Sequence, residues 1–268
     1  MTSTAPQMKC LAPPKIPARA EAFAPSPQRV SRTNPTPEFR ASDNASTRVK
    51  RRVDGILLLD KPVGITSNSA LQRVKRLFAA ERAGHTGTLD PLASGLLPIL
   101  LGEATKYASY SLEADKRYEA TMRLGQRTTT GDAEGEVIEE RAVSVSSDAI
   151  HAAVRRFVGN IEQVPPMYSA LKRDGRPLYD YARAGVTLER APRATLVHRI
   201  DVRRVSLPLV EIDVTCAKGT YVRTLAEDIG ESLGCGAHLT ALRRTRAGVA
   251  SIEAAVTPAS PQFAFSPS

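Results

Sequence analysis

Tryptophan is absent from this 268-residue chain, and aromatic residues make up only 5% of it, which argues against an aromatic-rich binding platform. Cysteine is nearly as scarce. Cys10, Cys216 and Cys235 form no Cys-x-x-Cys pair, and no histidine lies near them at zinc-finger spacing. An odd, sparse set of this kind points to free thiols in a reducing compartment, so a cytoplasmic protein is expected. The four histidines (85, 151, 198 and 238) are too dispersed for a metal centre, and no metal is expected. No apolar run reaches the roughly 18 residues that a membrane helix needs, so no membrane span is expected. Residues 96–101 are apolar but short, and suit a buried strand or helix segment.

Acidic residues are missing chiefly from one end. Residues 1–52 hold ten Lys/Arg and three Asp/Glu, against 27 basic and 25 acidic residues in the rest, so +7 of the formal +9 charge sits there. Eight of the 19 prolines fall in the same segment, with little hydrophobic periodicity. This composition predicts a disordered basic arm rich in Pro, Ser and Arg. Few acids and many Arg and Ser suit an organellar transit peptide, but the prolines spoil the amphipathic helix such a peptide needs. A solvated arm that attracts a polyanion is the better reading. Residues 251–268 are expected to be a disordered tail.

With 42% hydrophobic residues overall, the stretch 53–250 can bury a sizeable core. A strand is expected over 55–59 and a turn over 60–64. Ser67 or Asn68 can cap a helix in which Ala70, Leu71, Val74, Leu77 and Phe78 recur at helical spacing. A short helix suits 104–111, and 116–125 alternates as a strand with Tyr118, Ala120, Met122 and Leu124 on one face. A polar loop over 126–136 precedes a Ser147-capped helix carrying Ile150, Val154 and Phe157. Strands at 194–205 and 209–216, a helix over 221–233 stopped by Gly234, and a last strand over 238–249 complete the pattern. Strands and helices mix without a regular βαβ rhythm. An α+β domain is predicted, with a mixed, largely antiparallel central sheet and flanking helices.

The most informative stretch is Gly84-His85-Thr86-Gly87-Thr88-Leu89-Asp90-Pro91-Leu92-Ala93-Ser94-Gly95. It sets one carboxylate between two turns, in a segment with few other charges. Gly84 and Gly87 open backbone conformations closed to other residues and let a ligand come close. Pro91 fixes its own φ and biases Asp90 toward an extended conformation. Two readings of Asp90 stand: a carboxylate aimed at a substrate, or an Asx-turn with its own backbone.

Residues 84–95, with Leu96-Leu97-Pro98 after them, resemble the catalytic motif of the bacterial tRNA pseudouridine-55 synthases of the TruB family. Four further regions are similar to that family in order. Leu58-Leu59-Asp60-Lys61-Pro62-Val63-Gly64-Ile65-Thr66-Ser67 resembles its first motif, and Lys116-Arg117-Tyr118-Glu119 opens the strand of its active-site tyrosine. Val164-Pro165-Pro166-Met167-Tyr168-Ser169-Ala170-Leu171-Lys172 looks like its flexible insertion, which grips RNA and here covers about 160–190. Lys218-Gly219-Thr220-Tyr221-Val222-Arg223-Thr224 and Cys235-Gly236-Ala237-His238-Leu239, with Leu242-Arg243-Arg244, complete the set. The resemblance spans about 54–250. It implies a pseudouridine synthase fold whose sheet and loops form an RNA-binding cleft. It also implies an isomerase (an intramolecular transferase) that converts the T-loop uridine at tRNA position 55 to pseudouridine. The partner would be tRNA, held by its T arm, and the protein a monomer.

That reaction breaks an N-glycosidic bond, turns the uracil and joins it again through C5. No cofactor is expected, because uracil is both leaving group and nucleophile. An ionised carboxylate beside the sugar can attack the anomeric carbon or stabilise its developing positive charge, and the resemblance gives this role to Asp90. Arg223 matches the guanidinium that would pair with the acid and lower its pKa. Tyr118 matches the tyrosine that stacks on uracil and takes part in proton transfer at C5. Tyr221 and Leu242 match substrate-contacting positions, Leu242 through its backbone. Reaching a buried uridine requires extrusion, and His85 matches the histidine that fills the space left by the flipped nucleotides. Recognition should rest on T-arm shape and phosphates, with bases read in the splayed loop.

Bacterial members usually continue into a small PUA-type RNA-binding domain. Here fewer than twenty residues follow Val249, so no such domain is expected, and the basic arm is expected to replace part of its electrostatic contact. Two other functions compete: an RNA chaperone that refolds tRNA elbows without chemistry, and a phosphate or nucleotide site at the 84–87 turn. The second lacks the Lys-Ser/Thr ending of a P-loop. Within the superfamily, residues 164–172 and the Thr128-Thr129-Thr130-Gly131-Asp132 loop favour the stand-alone bacterial branch over the guide-RNA-dependent one.

Overall fold

In the computed structural model, which describes residues 49–257, the apolar run at 96–101 is the inside of a sheet. Gly55–Lys61 forms β1, Ser67–Leu77 α1, Ala83–His85 β2 and Ala93–Leu101 β3. A 3-10 turn at Gly102–Tyr107 leads into α2 (Ala108–Glu113), β4 (Lys116–Leu124), β5 (Gln126–Thr128), β6 (Val137–Glu140), α3 (Ser147–Arg155) and β7 (Gly159–Gln163). β8 (Lys172–Arg173), β9 (Arg176–Pro177) and α4 (Leu178–Arg183) make an excursion within the expected insertion. β10 (Arg193–Ser206), β11 (Leu209–Cys216), α5 (Val222–Ser232), β12 (Ala237–Ala247) and β13 (Ala250–Ser251) follow.

The main sheet runs β1-β3-β12-β4-β11-β10-β7, with β2 added to β3 and β13 to β12. Every pairing in it is antiparallel except β12 with β3, where Leu242, Arg243 and Arg244 face Ala93, Ser94 and Gly95 in parallel. The predicted α+β class and mixed, largely antiparallel sheet are observed. β3 is buried along nearly its whole length, as expected of a strand covered on both faces. Pro98 is tolerated there because it falls between the β12 pairing, which ends at Gly95, and the β2 pairing, which starts at Ile99. At that gap a missing N–H removes no ladder bond.

Several local expectations shift by a residue or more. Thr66, not Ser67 or Asn68, caps α1, accepting from Ser69 N at 3.0 Å, and Ser146 rather than Ser147 caps α3. Ser67 is instead buried with Ala70, Leu71 and Val74, whereas Leu77 lies exposed at the helix end. The 126–136 loop starts as β5, because Gln126–Thr128 pairs with Val137–Glu140. The expected tail does not begin at 251. Val256 N–H donates to Leu58 O and its carbonyl accepts from Asp60 N, so the chain lies along β1, where the Val256 side chain packs on the neighbouring core. The basic arm, Cys10 and the end of the tail lie outside the described residues.

Two apolar cores result. One joins α3 and α5 to β4, β10, β11 and β12; the other joins α1 to β1, β3 and Leu89. Tyr118 and Leu242 pack against both. The seam between the cores, at the centre of the sheet, is therefore where the predicted site residues from β4 and β12 meet the Asp90 loop.

Candidate active site

The loop joining β2 to β3 carries Asp90, and it is fastened along its length. Thr86 N donates to Pro98 O, Ala93 N to Asp90 O, and Gly64 N to Pro91 O at 2.8 Å. The buried Ser67 hydroxyl donates to Leu89 O at 2.9 Å and accepts from Leu89 N at 2.8 Å. The fully buried Arg244 holds Gly87 O at 3.0 Å and Leu96 O at 2.8 Å. Two glycines make this packing feasible. Gly87 has φ +77, with a Cβ there falling a tight 3.1 Å from Arg244 Nη1, and at Gly95 a Cβ would lie 2.3 Å from Arg244 O. Gly84, expected to need similar freedom, takes ordinary strand backbone in β2, where a Cβ would make only an ordinary contact with Thr105 at 3.9 Å.

Asp90 does not fold back on itself. Its Oδ2 lies 3.0 Å from Arg223 Nη2. Arg223, in the first turn of α5, is itself 7% exposed and held on three more sides. Nη1 donates to Thr130 O at 3.0 Å, Nη2 to Tyr168 O at 2.6 Å, and Nε lies 3.6 Å from Asp132 Oδ2. Asp132 is buried and fixed by Thr130 Oγ1 and Glu134 N. The guanidinium thus links Asp90, the 128–132 loop and the insertion.

Around this pair is a cleft of about 260 Å³ whose lining includes Asp90, Arg223, Tyr118, Tyr221, Leu242 and Arg244. Five of the six site residues expected from the sequence therefore come together. The sixth, His85, sits on β2 outside that lining. Its imidazole pKa is held down by burial and by the Arg244 charge, and its Nδ1 is buried without a hydrogen-bond partner. The Tyr221 backbone is clamped on both sides by the Gln163 amide, at 3.0 and 3.2 Å. No cluster of three or more metal-type side chains occurs among the described residues. No helix there is long and apolar enough to cross a membrane.

The electrostatics differ from expectation in one respect. Arg223 was expected to hold Asp90 below its ordinary pKa, and it does pull that way, yet burial pushes harder and the carboxyl ends above its usual 3.8. Asp132 adds to the upward push and Lys61 opposes it. Lys61 is fully buried, donates to Pro62 O and Ile65 O at 2.9 and 2.8 Å, and is lowered by desolvation to about 8. Burial likewise raises the Tyr118 phenol. Sequence reasoning missed Ser67, Lys61, Asp132, Gln163 and Arg244 as parts of the site. All but Gln163 lay inside quoted motifs, so a signal was present without a role attached.

Residues 75–222 match a family model described as "TruB family pseudouridylate synthase (N terminal domain)". Residues 223–260 match one described as "tRNA pseudouridylate synthase B C-terminal domain". A tRNA pseudouridine synthase B of Burkholderia mallei (strain NCTC 10247) is 66% identical over 208 residues, 78% of this chain and 69% of the relative. One of Cupriavidus metallidurans is 61% identical over 222 residues, 81% and 71% of the two chains. Among solved structures, a Cbf5-Nop10-Gar1 complex matches with a TM-score of 0.61 at 35% identity, over 76% of this chain and 52% of that one. An H/ACA RNP bound to a substrate RNA containing 2'-deoxyuridine matches with a TM-score of 0.58 at 32% identity, over 76% of this chain and half of that one.

Proposed function

The chain belongs to the TruB family of pseudouridylate synthases, isomerases acting on tRNA, and from that premise we propose how its cleft turns uridine into pseudouridine at T-loop position 55. Asp90 is the nucleophile. Its ionised carboxylate attacks the anomeric carbon of the extruded uridine or neutralises the positive charge developing there, and uracil departs with the bonding pair. The uracil turns and bonds through C5, after which the C5 proton is removed and N1 is left protonated. Tyr118 stacks on the base and serves that proton transfer, while Leu242 contacts the nucleotide through its backbone on β12. Arg223 keeps the carboxylate aimed, and Tyr221 lines the entrance.

The observation that carries this reading is the 3.0 Å Arg223–Asp90 pair in a cleft walled by Tyr118 and Leu242. His85, on the neighbouring strand, fills the space that the flipped nucleotides vacate. The protein acts on tRNA as a monomer in the cytoplasm, without a metal. The test is incubation with an unmodified T-arm stem-loop, followed by mapping of pseudouridine by position. Product at the T-loop uridine with wild type and none with Asp90→Asn is expected, with tRNA binding retained. Full product from the Asp90→Asn variant refutes the nucleophile, and RNA refolding by that same variant would assign the fold a chaperone role besides.

A further inference from the structure

Arg244 is the largest fully buried side chain among the described residues, 1% exposed, and lines the same cleft as Asp90. A buried cation ordinarily has a carboxylate partner. Arg244 has none within ion-pair distance among the described residues; its bonds go to neutral oxygens, Leu96 O and Gly87 O. On β12 it stands directly opposite Tyr118 of β4, so the two side chains leave the sheet on one face as cross-strand neighbours. Both side chains line the cleft, so the guanidinium and the phenol face the same space.

A guanidinium has donors and no acceptor. Toward this cross-strand neighbour the Tyr118 oxygen can therefore only accept, and its own O–H hydrogen must point elsewhere. Of the other buried cations lining the cleft, Arg223 is taken up by Asp90, Thr130 O and Tyr168 O, and Lys116 donates to Leu112 O and Ala114 O. Resting on the proposed roles of Asp90 and Tyr118, we infer that Arg244 is a positioning residue. It braces the Asp90 loop through Gly87 O and turns the Tyr118 hydroxyl so that its hydrogen and remaining lone pair face the cleft, where the uracil C5 proton must be handled. One guanidinium thereby sets the relative placement of the nucleophile's loop and the proton-transfer group.

The test is single-turnover pseudouridine formation on tRNA by wild type, Arg244→Lys, Tyr118→Phe and the double variant, with tRNA affinity and thermal melting measured on each. Arg244→Lys keeps a buried cation and a donor but loses the fork, and guards against outright unfolding. It should slow the chemical step roughly 100-fold, at the low end of what positioned proton transfer contributes, while tRNA affinity stays unchanged. In the Tyr118→Phe background the same change should slow the step far less, because the hydroxyl it orients is gone. An equal slowing in both backgrounds overturns the inference and leaves Arg244 as a brace of the loop alone. A Tyr118→Phe variant as fast as wild type also overturns it. Failure of the underlying reading looks different: there Asp90→Asn remains active.

Discussion

Ser67→Ala tests how the Asp90 loop is held. The hydroxyl donates to Leu89 O and accepts from Leu89 N, one residue from Asp90, the proposed nucleophile, and both Ser67 and Leu89 are buried. Alanine removes a single oxygen and strands a backbone donor and a backbone acceptor. A buried group left unsatisfied costs about 1–3 kcal/mol, and the void, an oxygen in size, is too small to admit a water. The expected loss is about 2–4 kcal/mol, read as a lower urea midpoint at unchanged slope. Hydrogen exchange should accelerate at the Leu89 amide, and single-turnover rate should fall while tRNA affinity holds. A loss under about 0.5 kcal/mol, the range of ordinary surface changes, with Leu89 exchange unaltered, would refute the view that this serine fastens the loop.

Other expectations follow from the same geometry. In the proposed mechanism Asp90 acts ionised, and burial raises its carboxyl above 3.8, so the acidic limb of the rate profile should have its midpoint above that value; a midpoint at or below it contradicts the dominance of burial. Lys61 titrates near 8 when folded and 10.5 when exposed, so the unfolded chain binds the extra proton between those values. Stability should rise with pH across that window by about 3 kcal/mol, and the rise should vanish in Lys61→Met. Gly95→Ala places a methyl 2.3 Å from Arg244 O at φ +100, a backbone clash that should cost about 3 kcal/mol in urea unfolding.

Much of this site was legible because its pieces are local. The Asp90 loop is punctuated by Gly and Pro, Tyr118 lies on a strand with clear alternation, and Arg223 stands in the first turn of a helix announced by the Lys218-Gly219-Thr220 turn. What stayed hidden depends on which distant strands pair. Nothing in the periodicity of 237–247 says that this strand runs parallel to β3, and that pairing is what buries Arg244 under the Asp90 loop. Lys61 read as a turn residue because a lysine ending an apolar strand is normally solvated; here Pro62 O and Ile65 O accept hydrogen bonds from it. The direction of the Asp90 pKa depends on how deep the carboxylate sits, and a motif does not carry depth. Val256 is equally non-local, since its value lies in the edge of β1, nearly two hundred residues earlier.

The position of β12 also bears on when a growing chain becomes an enzyme. Among the described residues it is the one strand that joins β1-β3 to β4-β11-β10-β7 in the sheet, and Arg243 reaches past β3 to grip both carboxylate oxygens of Asp60 on β1. Asp90 and Tyr118 are synthesised well over a hundred residues before that strand is complete. Until it arrives the two halves of the sheet share no strand pairing, and long-range pairings of this kind form slowly. A ribosome-bound chain stopped before residue 237 should carry Asp90, the proposed nucleophile, and still be inert, gaining activity only as β12 slides between its neighbours.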